Sequence, residues 1–201
     1  MADVVVGDDG LARCWWGASS PEYVGYHDLE WGRPVKDDNR VYEKLCLEGF
    51  QSGLSWITIL RKREGFRKAF AGFDAARVAR FTDADVERLV LDPAIVRHRG
   101  KIMATIANAR ATVALRERGT SLAALMWSHR PAKEPVPKAL SDLRSTTPES
   151  QALSAELRRN GFAFVGPTTV YATMQSLGVV NDHLRGCHWR EIVEAERRAL
   201  A

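Results

Sequence analysis

Apolar residues recur at three- and four-residue spacing between helix-cap signals along most of the chain. No stretch alternates apolar with polar residues long enough to argue for a sheet, so the patterning predicts an all-α fold. Asp37, Asp38 and Asn39 offer N-cap oxygens before Val41, Tyr42, Leu45 and Cys46, which share one helical face. Thr82 and Asp83 open a second helix with Val86, Leu89 and Val90 inward, and Asp92-Pro93 closes it. A third runs from about Arg99 toward Arg118 with Ile102, Ile106 and Val113 inward and Gly119 as terminator. Thr147-Pro148-Glu149 reads as an N-cap with proline at the first helical position, stopped by Asn160-Gly161. Thr168 to Leu177 reads as a further helix ended by Gly178. The stretch HRPAKEPVPK, residues 129–138, has three prolines and no periodicity, and is the candidate linker between two helical lobes.

A chain of 201 residues can bury a proper core but is short for two full domains. No segment approaches the roughly 20 apolar residues of a membrane span. The start, MADVVVGDDG, lacks a basic n-region and a long apolar h-region, which predicts a cytoplasmic protein without membrane contact. The formal charge of +4 is mild, but its distribution is uneven. Arg61, Lys62, Arg63, Arg67 and Lys68 form one basic group, and Arg97, His98, Arg99 and Lys101 another; each reads as a phosphate-facing patch or as a solvated helix face.

Chemistry-bearing residues concentrate in a few stretches. Residues 14–32, CWWGASSPEYVGYHDLEWG, hold three of six tryptophans and two of four tyrosines, which suits a core plug or a stacking pocket for a flat ring such as an extruded base. Three cysteines make no disulfide framework, leaving metal binding or burial. Cys14 and His27 near one end and His183 and Cys187 near the other make up a Cys2His2 set, although the long separation and the absence of CxxC also suit chance; His188 is a spare ligand, and Cys46 reads as packing. Glu48 is the one charge between Leu45 and Trp56, so it is either a carboxylate facing a ligand or a solvent-facing side chain. DPAIVRHRGK, residues 92–101, is a glycine-containing basic turn between two helices, a design that can grip a DNA phosphate and that also joins many helices touching no nucleic acid.

Together RCWWG, YHDLEWG, LCLEGFQSGLSWITIL, IVRHRGKI, Asn108-Ala109-Arg110, GFAFVGPTTVYATMQ and GVVNDHLRGC resemble the type I 3-methyladenine DNA glycosylases, a family of the helix-hairpin-helix glycosylase superfamily, from about Leu11 to Cys187. The resemblance implies a single glycosylase domain over residues 11–190, flanked by an N-terminal extension, 1–10, and a C-terminal tail, 191–201. It implies a structural zinc on Cys14, His27, His183 and Cys187, with Glu48 as the carboxylate contacting the excised base. Tyr26 and Trp56 match pocket aromatics, with Trp16 and Trp31 completing the walls. Gly53 and Leu54 match the segment that fills the gap in the duplex, while Arg97, Arg99, Gly100 and Lys101 sit at the DNA-gripping hairpin.

The implied activity is excision of 3-methyladenine, leaving as free base, from double-stranded alkylated DNA by a monomer. The stretch after Lys101, IMATIANARATVAL, carries no acidic residue where many members of the superfamily place an aspartate, and a monofunctional enzyme without a lyase step is expected. Two rivals are a non-catalytic zinc-stabilised helix-hairpin-helix DNA-binding module and a zinc hydrolase, which needs an open metal position.

Overall fold

The computed structural model describes residues 3–200. Helices dominate: α1 (Pro21–Leu29), α2 (Asp38–Gln51), α3 (Trp56–Ala69), α4 (Ala75–Val78), α5 (Asp83–Leu91), α6 (Arg99–Glu117), α7 (Leu122–Ser128), α8 (Pro148–Arg159), α9 (Pro167–Ser176) and α10 (Trp189–Ala199). The expected caps are in place: Asp37 Oδ1 accepts from Arg40 N at 2.9 Å, and Thr147 Oγ1 from Ser150 N at 3.2 Å.

The all-α expectation holds, with one short addition that the patterning does not show. A short antiparallel hairpin joins β1 (Val4–Val6) to β2 (Ala12–Cys14), with Val4 opposite Cys14. Strands of three residues are too short to display an alternating pattern, and VVV carries none. The hairpin lies largely in the stretch set aside as an extension, and α10 occupies the stretch set aside as a tail. Arg197 of α10 is buried and donates to the carbonyls of Gly178 and Val179, both at 2.8 Å. On α6 the inward residues are Ile102, Ile106 and Leu115; Val113 is half-buried instead of fully inward.

The centre of the fold is α2, which packs on α3, α6, α7 and α9. Every residue from Val41 to Phe50 is buried, including Glu43, Lys44 and Glu48, so this stretch of the helix has no solvent face to take its charges. Beside it Phe50, Phe66, Phe70 and Phe73 stack in sequence, with Phe50 and Phe66 centroids 4.5 Å apart. Each ring adds roughly 1.5–3 kcal/mol of burial free energy. The turn between α5 and α6 docks on α3 closely: a Cβ on Gly65 would lie 2.4 Å from the Ala94 carbonyl oxygen, so only glycine admits this approach.

Candidate active site and metal centre

Helices α1, α2, α3 and α9 and the turns around them converge on a cavity of about 350 Å³. The α1 helix starts at Ser20, whose Oγ accepts from Tyr23 N at 3.3 Å, and its i, i+3 spacing turns Tyr23 and Tyr26 to one wall. From α2 come Glu48 and Gln51, again three residues apart, and the first residue of α3 is Trp56. The 3-10 turn Trp15–Ala18 adds Trp15 and Trp16, and Trp31 closes the side.

The walls are aromatic and interlocked. Trp16 meets Trp31 edge-to-face at 4.9 Å, and Tyr26 meets Trp56 at 5.2 Å. The N–H groups of Trp15 and Trp56 are buried without a partner among the described residues. Among the described residues, Glu48 is the one carboxylate lining the cavity. Burial pushes its pKa up to about 8, while Lys44, one turn earlier, pulls it down. Glu48 thus faces the cavity instead of solvent, and all five residues expected around it, Trp16, Tyr26, Trp31, Glu48 and Trp56, meet there. Sequence reasoning missed Trp15, Tyr23, Gln51 and Gln175 in the lining; the i+3 spacing of Gln51 from Glu48 was the available signal.

Behind the Trp16–Trp31 wall lie Cys14, His27, His183 and Cys187, all buried, with ligand atoms within 4.8 Å of one another. Cys187 Sγ is 3.5 Å from His183 Nδ1 and 3.7 Å from His27 Nε2. Ligands at 2.0–2.3 Å from a tetrahedral ion stand about 3.3–3.8 Å apart, which the Cys187 separations match, so the group suits such an ion. The remaining ring nitrogens are engaged: His27 Nδ1 is 2.8 Å from Asp28 Oδ1, and His183 Nε2 is 3.2 Å from the Trp31 carbonyl oxygen. Burial lowers the His183 pKa, favouring the neutral imidazole that a metal takes. Arg13 in turn donates to both oxygens of Asp28 and to Asp9, tying the β1–β2 turn to the metal ligands. Gly17 lets the backbone pass the His27 ring, where a Cβ would lie 2.5 Å from Cδ2. His188 is exposed and outside the group, and Cys46 is buried in the core as expected.

The expected DNA-facing residues divide. Leu54 is 41% exposed on the loop between α2 and α3, beside Gly53 at φ +81°. Arg97 is exposed, and Arg99 holds Glu87 at 2.7 Å across the surface. Gly100 lies in the first turn of α6, whose N-cap is His98, with Nδ1 accepting from Lys101 N at 3.2 Å. Lys101 differs from expectation. Its ammonium is turned inward onto the carbonyls of Phe50 at 2.9 Å and Ser52 at 2.5 Å, because the loop after α2 leaves those acceptors facing α6. Most of the other basic group is engaged in the same way: Arg61 with Glu22, Arg63 with Glu30, Arg67 with Glu43 and Lys62 with the Pro93 carbonyl.

Comparison with known proteins adds an independent line. The methyladenine glycosylase family pattern matches residues 15–191. The DNA-3-methyladenine glycosylase 1 of Escherichia coli is 47% identical over 88% of this chain and 96% of its own length. A crystal structure of a 3-methyladenine DNA glycosylase I superposes with a TM-score of 0.85 at 46% identity, over 88% of this chain and 98% of that one. A structure described as the basis of 3-methyladenine recognition by the Staphylococcus aureus 3-methyladenine DNA glycosylase I gives a TM-score of 0.84 at 33% identity, over 89% of this chain and 96% of that one. With the family pattern spanning most of its length and relatives matched nearly end to end, the chain belongs to the methyladenine glycosylase family.

Proposed function

We propose that the protein excises 3-methyladenine from double-stranded alkylated DNA by hydrolysis of the N-glycosyl bond, as a monofunctional enzyme of base excision repair. The observation that carries this reading is the single buried carboxylate of Glu48 in a cavity walled by indole and phenol rings. Methylation at N3 makes the base cationic and weakens its bond to the sugar. Such a base, swung out of the duplex, meets aromatic faces that favour a cation and a carboxylate that accepts from its exocyclic amine. The partnerless N–H groups of Trp15 and Trp56 supply donors to ring nitrogens. Ordinary adenine lacks the charge that would favour an ionised Glu48.

Zinc is the metal that two thiols and two imidazoles in tetrahedral spacing suit, and it would cross-link the two ends of the domain proposed for residues 11–190. Four protein ligands leave no open position, so the ion is structural, and water activation does not pass through it. Leu54, with Gly53, fills the step that the base vacates, while Arg97, Arg99 and the N–H groups of the first turn of α6 hold the backbone. The enzyme acts as a monomer on chromosomal DNA in the cytoplasm.

The test is release of free base. Purified protein incubated with N-methylated duplex DNA should liberate 3-methyladenine, read by chromatography, and Glu48→Gln should liberate far less. Absence of release from folded wild-type protein would leave only a DNA-binding module.

A further inference from the structure

Phe164 holds a conformation that its own burial does not repay. Among the described residues, three non-glycine residues take a left-handed backbone, Ala71, Phe73 and Phe164, the last at φ +56°. That conformation costs an L-residue roughly 1–2 kcal/mol. For Phe73 the cost is offset, since its ring is wholly buried against Tyr42 and Phe70. Phe164 remains 42% exposed.

The loop that presents Phe164 is pinned on both sides. Asn108 of α6 donates to the Ala163 carbonyl at 3.1 Å and accepts from Ala163 N at 2.8 Å. Ser154 Oγ donates to the Val165 carbonyl at 2.6 Å. A strained backbone this heavily restrained marks a position held for its side chain. The ring lies along the hairpin: its centroid is 6.2 Å from that of His98, the N-cap of α6, and a Cβ on Gly100 would be 3.7 Å from Phe164 Cζ.

The same helix also holds the Leu54 loop, through Lys101 and the carbonyls of Phe50 and Ser52. Thus α6 is a post that holds the loops of two exposed apolar side chains, Leu54 and Phe164, the second of them beside the turn that carries Arg97 and Arg99. We propose that Phe164 is a second apolar contact with the damaged duplex, its ring laid against the bases at the step from which the nucleotide is extruded. The partner is duplex DNA because the ring adjoins a basic hairpin turn, and because an exposed, rigidly presented aromatic ring is the group that an unstacked step accepts. This inference rests on the function proposed above.

Phe164→Gly tests it cleanly, since glycine takes the left-handed backbone without strain and loses only the ring. Binding is measured by fluorescence anisotropy on a duplex with a tetrahydrofuran abasic site and on the intact duplex of the same sequence. Thermal melting and release of 3-methyladenine from methylated DNA are measured on the same preparations. The expected result is roughly tenfold weaker binding to the abasic duplex, with smaller change on intact DNA and a melting temperature at or above wild type. Phe164→Leu, which keeps an apolar contact, should recover part of the loss. Unchanged abasic-site affinity in Phe164→Gly, with wild type binding and releasing base, overturns the inference and leaves the function standing. Failure of wild type both to prefer the abasic duplex and to release base overturns the function itself.

Discussion

Lys44 and Glu48 stand one turn apart on the buried helix α2, and the Lys44 ammonium lies 5.7 Å from the ring centroid of Tyr26, which lines the same cavity as the Glu48 carboxyl. Burial lowers the Lys44 pKa to about 8 and raises that of Glu48 to about 8, and each charge favours the other. An acid and a base therefore titrate together in the wall of the site.

Glu48→Gln should stabilise the fold, increasingly so as pH rises. The folded pKa of Glu48 is raised above its unfolded value near 4.5, so its contribution is fully present below that value and is lost as pH climbs through about 8. Glutamine has no proton to lose. Melting curves should nearly coincide at pH 5 and separate by about 3–5 kcal/mol above pH 8, while release of base falls. A gap that does not change with pH refutes the buried ionisation.

Lys44→Met should move the acid limb of base release to higher pH. Release needs the Glu48 carboxylate, and it fails as pH drops through the pKa of that group, which Lys44 holds down. Lys44 is the one charge that moves the Glu48 pKa, so no neighbouring cation replaces it. Lys44→Arg should keep the limb in place. Faster release at every pH in Lys44→Met would mean that the lysine acts mainly by repelling the cationic base.

Much of this was legible in the sequence, for a local reason. Caps such as Asp37 and Thr147 act within three residues, so their chemistry is written beside the helices they start. Cys14 and His183 lie 169 residues apart yet 3.9 Å in space, and spacing alone says nothing of that closure. The inward turn of Lys101 was illegible because its acceptors, Phe50 and Ser52, belong to another helix and its following loop. Lys44 was equally hidden: a lysine mid-helix suggests a solvent face, and only the packing of neighbours around all of α2 removes that face.

Lys101→Met should reveal a tie and not a phosphate grip. It leaves two carbonyls without their donor, predicting a loss of about 1–3 kcal/mol in stability. Binding to abasic duplex should weaken as the Gly53-Leu54 loop loosens, with the slope of log affinity against log salt unchanged. A phosphate contact would instead lower that slope by about 0.9.

Asp28→Asn should loosen the metal. Asp28 fixes His27 at 2.8 Å and is itself held by Arg13 at 2.7 Å, both groups buried. The substitution leaves Asp9 as the one anion paired with Arg13, predicting about 3–5 kcal/mol of destabilisation and roughly 10–100-fold weaker zinc affinity. Zinc transfer to a colorimetric chelator reads the second effect; an unchanged transfer rate would reduce Asp28 to an ordinary ion-pair partner.

Removal of the metal should degrade recognition as well as stability, because the two sites share a wall. The Trp31 ring stacks on His27 at 6.2 Å and 19° and meets His183 at 4.7 Å, while Trp16 meets both His27 and Trp31. Freed from an ion, the two imidazoles keep only their contacts with Asp28 and the Trp31 carbonyl and fix these indoles less firmly. Cys187→Ser or chelation should lower stability by several kcal/mol and weaken binding of free 3-methyladenine, followed by quenching of indole fluorescence. A metal that activated water would behave in the opposite way: its loss would abolish release while leaving melting and base affinity intact. The direction of the affinity change therefore separates an ion that braces the aromatic wall from one that takes part in the reaction.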